Sequence, residues 1–322
     1  MPTVICSPQR SVPTPPRVSL PTTGGDISPL WDIDFYTRRT KDLLAEVAVP
    51  AGANFNSRMT TNVGNVDGKG VELSLSATPV VTKDFTWDVS MNATWQKVRV
   101  TNLSLVPGAQ TVNTLAGPTF DSYSIQVLSE GHEPYMFYLY HQLYDESGRP
   151  VEGAYADLNG DGEIDNRDRY RVKSPAPDWM LGLSTSLRYK KWTLGFSLRS
   201  YIGNYVYNGN AMNMGAWESV SFNSYQLNNI HSSYLSTGFR HRQRLSDYYL
   251  ENASFLKMDN ISLRYTFGKV APWISNLYVS AVVQNVFTIT GYSGVDPEVP
   301  GGCDREFYPR PRTCTLSVGI DF

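Results

Sequence analysis

The sequence lacks several features that would define a function directly. Its 322 residues carry a formal net charge of −2 with a pI near 6.1, so no basic field attracts nucleic acid. Mean hydropathy is −0.31, and no apolar run approaches the ~18 residues of a transmembrane helix. That absence excludes helical membrane spans only, because membrane-spanning β-strands alternate in polarity and escape a hydropathy scan.

Cysteines and catalytic motifs are also scarce. Only Cys6, Cys303 and Cys314 occur, without metal-ligand spacing, and we predict no disulfide framework. No G-x-S-x-G, P-loop or C-x-x-C pattern is present, and no pair of carboxylates is distinguished from solvated ones. The four histidines show no ligand spacing either. We therefore predict that the protein is not an enzyme and has neither catalytic nor cofactor-binding residues.

The first 30 residues lack both a signal peptide and any periodicity. They contain seven prolines and no basic segment followed by an apolar one. We expect residues 1–30 to be an irregular Pro-rich segment that is not the native start of the protein, and residues 31–322 to form one β-rich unit.

From Trp31 onward the sequence alternates between apolar and polar residues. In "FTWDVSMNATWQ" (85–96) every odd position is apolar or aromatic and every even position is polar. Period 2 predicts strands with one apolar and one polar face. These runs reach about 9–13 residues, the length that crosses a bilayer at a tilt, whereas strands of soluble sandwiches average ~5–6. The fold class is therefore predicted as all-β, a portion of a transmembrane antiparallel β-barrel. The eight predicted strands are 31–44, 69–81, 85–101, 178–189, 191–204, 255–267, 276–289 and 313–322.

Aromatic positions and connection lengths favour the same architecture. Aromatics gather near the ends of the runs, where interfacial girdles lie. They are Trp87, Trp95, Trp179, Tyr189, Trp192, Tyr265, Phe267 and Phe322. Tight connections alternate with long ones, which is typical of outer-membrane barrels with short periplasmic turns and long extracellular loops. The tight connections are 81–84 and 190–191, and 268–275 is fairly short; the long ones are 45–68, 104–177, 205–254 and 290–312.

One stretch, "DLNGDGEIDNRD" (157–168), matches the spacing of a calcium-binding EF-hand loop. Gly162 falls at the sharp turn, and the predicted ligands are Asp157, Asn159, Asp161, Glu163, Asp165 and Asp168. Glu163 would ligate through its backbone carbonyl, and Asp165 directly or through water. Both flanks are poor helices, so neither a true EF-hand nor a dockerin is expected. We predict a structural Ca²⁺ that orders the extracellular connection 104–177, which we expect to have no hydrophobic core of its own. The alternative is an acidic turn without metal.

Several stretches, in order and spacing, resemble the SusC/RagA family of TonB-dependent outer-membrane transporters of Bacteroidetes. They are "DFYTRRTKDLL" (34–44), "NVGNVDGKGVELSLSATPVVTKDFTWDVSMNATW" (62–95), "YADLNGDGEIDNRDR" (155–169), "ASFLKMDNISLRYTF" (253–267), "VQNVFTITGYSGVDPEV" (283–299) and "YPRPRTCTLSVGIDF" (308–322). The resemblance implies the last ~8 strands of a 22-stranded barrel in the outer membrane of a Gram-negative cell. It implies import of glycan or peptide fragments with a SusD-like surface lipoprotein as lid.

The sequence also departs from this family. It contains no plug domain and no TonB box, so contact with TonB is expected only through a missing N-terminal part, and we expect a truncated reading frame or a fragment. "GHEPYMFYLY" (131–140) replaces a Gly-rich stretch usual in the family. The alternative class is a soluble, extracellular, calcium-stabilised β-rich module for binding or adhesion.

Overall fold

The computed structural model describes residues 29–48, 58–103, 114–120, 122–222, 226–305 and 308–322. Most of the predicted segment 1–30 therefore lies outside the described residues. Strands are numbered in chain order. Eight long strands form one antiparallel sheet, which we call the wall. They are β1 (Leu30–Ala48), β2 (Arg58–Val81), β3 (Phe85–Asn102), β10 (Trp179–Tyr189), β11 (Trp192–Ile202), β16 (Phe255–Gly268), β17 (Asn276–Thr290) and β19 (Thr313–Asp321).

The wall strands pair in chain order, in the sequence β1-β2-β3-β10-β11-β16-β17-β19. All eight predicted strands are thus confirmed, with ends that differ by a few residues except in β1 and β2. Within the described residues neither β1 nor β19 pairs with a further strand on its outer side, so the sheet is open. The described residues also include no helix long and apolar enough to cross a membrane.

The prediction of a long connection over residues 45–68 is wrong. β1 continues to Ala48 and β2 resumes at Arg58, and these two residues are themselves paired. "NVGNVDGKG" (62–70) shows no alternation, so its sequence gave no strand signal. Backbone hydrogen bonds between paired strands do not require an apolar face. Where a hairpin extends beyond the bilayer, both of its faces contact water, so no alternation of polarity is needed.

The two faces of the wall differ as the alternation predicts. Leu183 lies opposite Met91 on β3 and Leu198 on β11, all on the apolar face. That face is uncovered: Met91 is 48% exposed and Leu316 is 75% exposed. A sheet with this much uncovered apolar surface needs an apolar surrounding such as lipid.

Thr185 is a polar residue on the apolar face. Its position in β10 has the same parity as Leu183 and Leu187, yet its side chain is buried. The Trp87 indole N–H donates to Thr185 Oγ1 at 2.8 Å, and that hydroxyl donates to the Asp88 carbonyl oxygen, also at 2.8 Å. Both polar groups are satisfied internally, as lipid contact demands.

The aromatic positions form two belts. Trp95 and Trp179 are register partners near the end of the wall that carries the long connections. At the other end, Trp192 lies opposite Tyr189 and Tyr265, with ring centroids 4.7 Å apart in the Trp192–Tyr265 pair. Ten residues separate the two belts along β10, about 33 Å of strand, which is enough to span ~25 Å when tilted.

The long connections pack into a second layer at one end of the wall, which we call the loop assembly (residues 114–120, 122–178, 203–222, 226–254 and 291–305). Its strands are β4 (Thr114–Phe120), β5 (Tyr123–Leu128), β6 (Met136–Tyr140), β7 (Gln142–Tyr144), β8 (Pro150–Tyr155), β9 (Arg169–Arg171), β12 (Tyr205–Asn208), β13 (Ser221–Phe222), β14 (Gln226–Leu227), β15 (Leu250–Asn252) and β18 (Cys303–Asp304). Its helices are α1 (Gly209–Met214) and α2 (Tyr234–Thr237). Four sets of strands form within it: β4-β5-β6-β9, β7-β8, β15-β12-β18 and β13-β14.

The loop assembly has a hydrophobic core. The connection 104–177 was expected to have no core of its own, and it contributes to one that it shares with the other long connections. Side chains from all three connections meet in this core. The buried members are Phe120, Ile125, Phe137, Leu139, Tyr207, Ala211, Met212, Leu245, Tyr249 and Cys303. No single connection holds enough apolar residues, but burying them jointly offsets the entropy of ordering each one.

Candidate functional site

The polar face of the wall carries a continuous row of small polar side chains, one on each of seven neighbouring strands. In register, the row is Ser76, Ser90, Ser184, Ser197, Asn260, Gln284 and Thr313. The Ser76 and Ser90 hydroxyl oxygens are 3.2 Å apart, and the Asn260 amide donates to Ser197 Oγ at 2.6 Å. Hydroxyls and amides hydrate readily and carry no charge, so this face suits a water-filled passage.

A group of charged residues lies on the same face near the loop assembly; we call it the ionic cluster. Its members are Arg199, Lys257, Asp259, Asp296, Glu298 and Arg310. Our sequence reasoning missed this group. The available signal was the acidic pair in "VDPEV" (295–299) and the polar-face positions of Arg199 and Lys257 on adjacent strands.

The predicted calcium loop lies in the loop assembly between β8 and β9, and most of it is exposed. Gly162, at the predicted sharp turn, has a φ of +84°, a conformation that glycine adopts without strain. Asp157 accepts hydrogen bonds from the Gly160 and Gly162 N–H groups at 2.6 and 2.8 Å. Asn159 Oδ1 accepts from the Asp161 N–H at 2.9 Å. The first half of the loop is therefore folded around its own side-chain oxygens.

The second half of the loop closes through Asp168. A 3-10 turn spans Asn166–Asp168, and Asp165 caps it with reciprocal hydrogen bonds to Asp168. Asp168 is fully buried, and its carboxylate accepts from the N–H groups of Leu158 and Asp165 at 2.9 and 2.8 Å. The hydrogen bond from Asp165 N–H is the main reason that the pKa of Asp168 is lowered, against the opposing effect of its desolvation.

Positive charge in the loop comes from Arg167. Its Nη2 lies 2.6 Å from Asp161 Oδ2 and 2.9 Å from Asp165 Oδ2. Those two carboxylates were predicted as ligands, and their mutual repulsion is offset here by the guanidinium. Glu163 contributes its N–H, which donates to Asp161 Oδ1 at 3.0 Å.

The six predicted ligands are thus brought into one loop, but not arranged as a coordination shell. Across the described part of the chain, no set of three or more His, Cys, Asp or Glu side chains is placed to hold a metal ion. The donor set is nevertheless all oxygen, which is what calcium prefers. Both carboxylate oxygens of Asp168 already accept backbone N–H groups, which leaves fewer lone pairs for an ion.

Three of the four histidines have separate side-chain partners. His141 Nδ1 lies 2.8 Å from Asp247, and His241 Nδ1 lies 3.0 Å from Glu218. His231 Nδ1 lies 2.9 Å from the Ser233 hydroxyl.

The loop aromatics divide between packing and exposure. Phe137 belongs to the core of the loop assembly, and Tyr138 stacks under the Arg169 guanidinium at 4.5 Å. Tyr135 and Trp217 remain 47% and 59% exposed. Tyr135 and Trp217 thus have surface available for a sugar or a partner protein, as do Tyr123 and Tyr144 in the same layer.

An open antiparallel wall with an uncovered apolar face, a polar face and long connections at one end defines a portion of an outer-membrane-type β-barrel. No family model matches the chain. Among known proteins, the chain is 39% identical over 303 residues to the TonB-dependent receptor SusC of Bacteroides thetaiotaomicron, covering 90% of this chain and 30% of SusC. It is 27% identical over 324 residues to TonB-dependent receptor P3 of Formosa agariphila, covering 90% of this chain and 32% of that receptor.

Solved structures agree on the fold. The RagAB peptide importer in its closed-closed state matches with a TM-score of 0.73 at 23% identity, covering 91% of this chain and 33% of that one. The predicted relation to the SusC/RagA TonB-dependent receptors is confirmed over the aligned residues. The chain spans about a third of the length of these relatives. The relatives with the aligned sequences are TonB-dependent receptors, in agreement with the prediction that the chain is not an enzyme.

Proposed function

We propose that this chain contributes wall and extracellular loops to a SusC-like importer in the outer membrane of a Gram-negative cell. The imported molecules would be glycan or peptide fragments, with energy supplied through TonB. The observation that carries this proposal is the division of the wall into an apolar face and a polar face along the same strands, together with the similarity to SusC. Such a wall separates lipid from a hydrated passage and has no use in a soluble protein.

The decisive test places a polarity-sensitive fluorophore at Leu183 or at Ser184 of the membrane-inserted protein. These neighbours in β10 point to opposite faces. We expect the label at residue 183 to report hydrocarbon and the label at residue 184 to report water. If both labels report water, and the chain is monomeric and folded without detergent, the result would instead favour the soluble binding module.

The class of substrate needs a separate experiment, because RagAB is named as a peptide importer and the name of SusC specifies no cargo. Cells carrying the intact gene and cells lacking it would be compared for uptake of labelled oligosaccharides and labelled peptides. Loss of only one class on deletion identifies the cargo. Unchanged uptake of both would contradict import of these molecules.

We further propose that the loop assembly is where a SusD-like surface lipoprotein docks. The outward aromatics Tyr135 and Trp217 lie in this layer and offer contact area of the kind enriched at interfaces. Co-purification with the tagged lipoprotein from the same cells tests this. Substituting both aromatics with Ala is expected to lower the amount of this protein recovered with the lipoprotein. Phe137 is unsuitable as a control position, because its substitution would disturb the core of the loop assembly.

For the loop 157–168 we propose a structural Ca²⁺, supported by the all-oxygen donor set and by the positive φ of Gly162. Ligands would be Asp157, Asn159, Asp161, Asp165 and Asp168, with the Glu163 carbonyl. An affinity of ~10⁻⁴–10⁻³ M would suffice outside a cell. Asp157→Ala should raise protease cleavage within 145–175 as much as chelation does in the parent protein. Cleavage that is independent of calcium in the parent would leave the loop as an acidic turn closed by Arg167.

A further inference from the structure

The connection between β17 and β19 does not project freely from the rim. Residues 291–305, which we call the strap, contact the wall on one side and the rest of the loop assembly on the other. Asp296 and Glu298 meet side chains of the wall. Tyr292 and β18 (Cys303–Asp304) meet the loop assembly. The strap is therefore the one described segment among the long connections whose carboxylates enter the ionic cluster.

On the wall side, the strap is held by two cations from adjacent strands. Arg199 on β11 and Lys257 on β16 are register partners on the polar face. Arg199 pairs with Glu298 through both terminal nitrogens, with Nη2–Oε2 at 2.8 Å. Lys257 Nζ lies 3.4 Å from both Asp296 Oδ2 and Glu298 Oε2. Three stretches that carry the family resemblance thus converge here: 253–267, 283–299 and 308–322.

Burial makes this contact specific. The side chain of Lys257 is 3% exposed and that of Asp296 is 8% exposed. Asp259 also pairs with Arg199, and Arg310 pairs with Glu298 at 2.8 Å, so three cations face three anions. A buried charge that loses its partner is strongly destabilising, whereas removing both partners is much less so. The cluster is thus stable when complete and costly when half-formed.

On the other side, the strap is held by neutral and ionic hydrogen bonds. The Tyr292 hydroxyl donates to Asp304 at 2.7 Å, and the Asn210 amide donates to the same carboxylate at 2.8 Å. Glu251 accepts from the N–H and the hydroxyl of Ser293, both at 2.7 Å. β18 pairs in parallel with β12 through Tyr207 and Asn208.

We propose that the strap is a conformational latch: the ionic cluster fastens it to the wall, and through it the loop assembly is held against the polar face. Opening the cluster releases the strap and β12 from the wall while the wall strands stay paired. This inference concerns coupling between the two layers and does not depend on which molecule is imported. Both sides of the contact belong to this chain: the wall supplies Arg199 and Lys257, and the strap supplies Asp296 and Glu298.

Hydrogen exchange of the intact membrane-inserted protein tests the latch. Glu298→Gln leaves Arg199 and Lys257 short of one negative charge, and Lys257→Met leaves Asp296 short of one positive charge. Each is expected to speed exchange roughly 100-fold in peptides covering 291–305 and 205–208. Peptides from the centres of β10 and β11 should exchange as in the parent. The double variant, with both charges removed, should exchange more slowly than either single variant.

Matched controls keep the outcome interpretable. Asp67→Asn removes an equally close ion pair, with Arg39, that is exposed and far from the strap; it should change nothing at 291–305. If Glu298→Gln fails to assemble, Arg310→Gln, at a side chain 45% exposed, should give a smaller increase confined to the strap. Unchanged exchange in the strap would overturn the latch. Faster exchange in β10 and β11 would also overturn it, because the cluster would then stabilise the wall itself.

Discussion

The wall and the loop assembly are both built from β-strands, yet they are stabilised in opposite ways. The wall leaves its apolar face uncovered, with Leu316 75% exposed there. The loop assembly buries Phe137, Leu139 and Tyr207 completely in a core of its own. The wall therefore depends on its surroundings for stability, and the loop assembly depends on packing among its own connections.

The largest expected effect comes from the core of the loop assembly. Phe137→Ala should cost about 3–5 kcal/mol of local unfolding free energy, because it leaves a cavity among rigid neighbours. Exchange in β5, β6 and β9 should rise while the wall is unchanged. Leu183→Ala, a truncation on the lipid-facing side, is the matched comparison and should cost much less. Equal losses would mean that the two layers do not differ as described.

A charge on the wall gives the next largest effect. Leu183→Arg should cost about 2–4 kcal/mol if its position faces the bilayer midplane. Ser184→Arg puts the same side chain on the polar face and should be nearly neutral. Unfolding titrations of the protein in lipid would measure both. A cost at residue 184 as large as that at 183 would contradict the assignment of the faces.

Thr185 tests the need for internal hydrogen bonds on the apolar face. Thr185→Val is nearly isosteric but leaves the Trp87 indole N–H without its acceptor, at a cost of about 1–3 kcal/mol. Thr185→Ser retains the hydroxyl and should retain most of the stability. The same titrations in lipid distinguish the two variants, and a neutral Thr185→Val would show that the indole finds water.

The smallest effect concerns pH and should be confined to the loop assembly. Burial alone would raise the pKa of Glu218, but hydrogen bonds from the Arg242 N–H and the His241 and Arg242 side chains lower it to about 2. A lowered carboxyl pKa stabilises the fold fully above the ordinary value of 4.5, and this stabilisation is lost as pH falls from there through about 2.

Protease resistance in this part of the loop assembly should therefore fall as the pH drops from 4.5 to about 2, as expected from the lowered pKa of Glu218. Glu218→Gln should flatten that dependence, and exchange in the wall should not follow it. A parent protein whose loop assembly is equally resistant throughout this range would show that Glu218 contributes nothing.

The wall was predictable because side chains alternate between the two faces of a strand, and the two faces of this sheet differ in polarity. In β3, β10 and β16 most apolar residues lie on one face and most polar residues on the other, so alternation alone located the strands. The prediction failed at 45–68, where the strands leave that environment and the alternation stops. The calcium loop was located by its spacing, and its turn at Gly162 is confirmed by the positive φ. Occupancy by an ion stays a prediction.

By itself the sequence determined the number of wall strands, which of their side chains lie on each face, and at which end the long connections lie. These features follow from local periodicity and turn length. Tertiary structure decided everything that depends on contacts between distant segments. It brought Phe120, Tyr207 and Cys303 into one core, and placed Glu298 against Arg199. Each contact joins residues about 90 or more positions apart, and the local sequence around a side chain does not tell which distant segment it will meet.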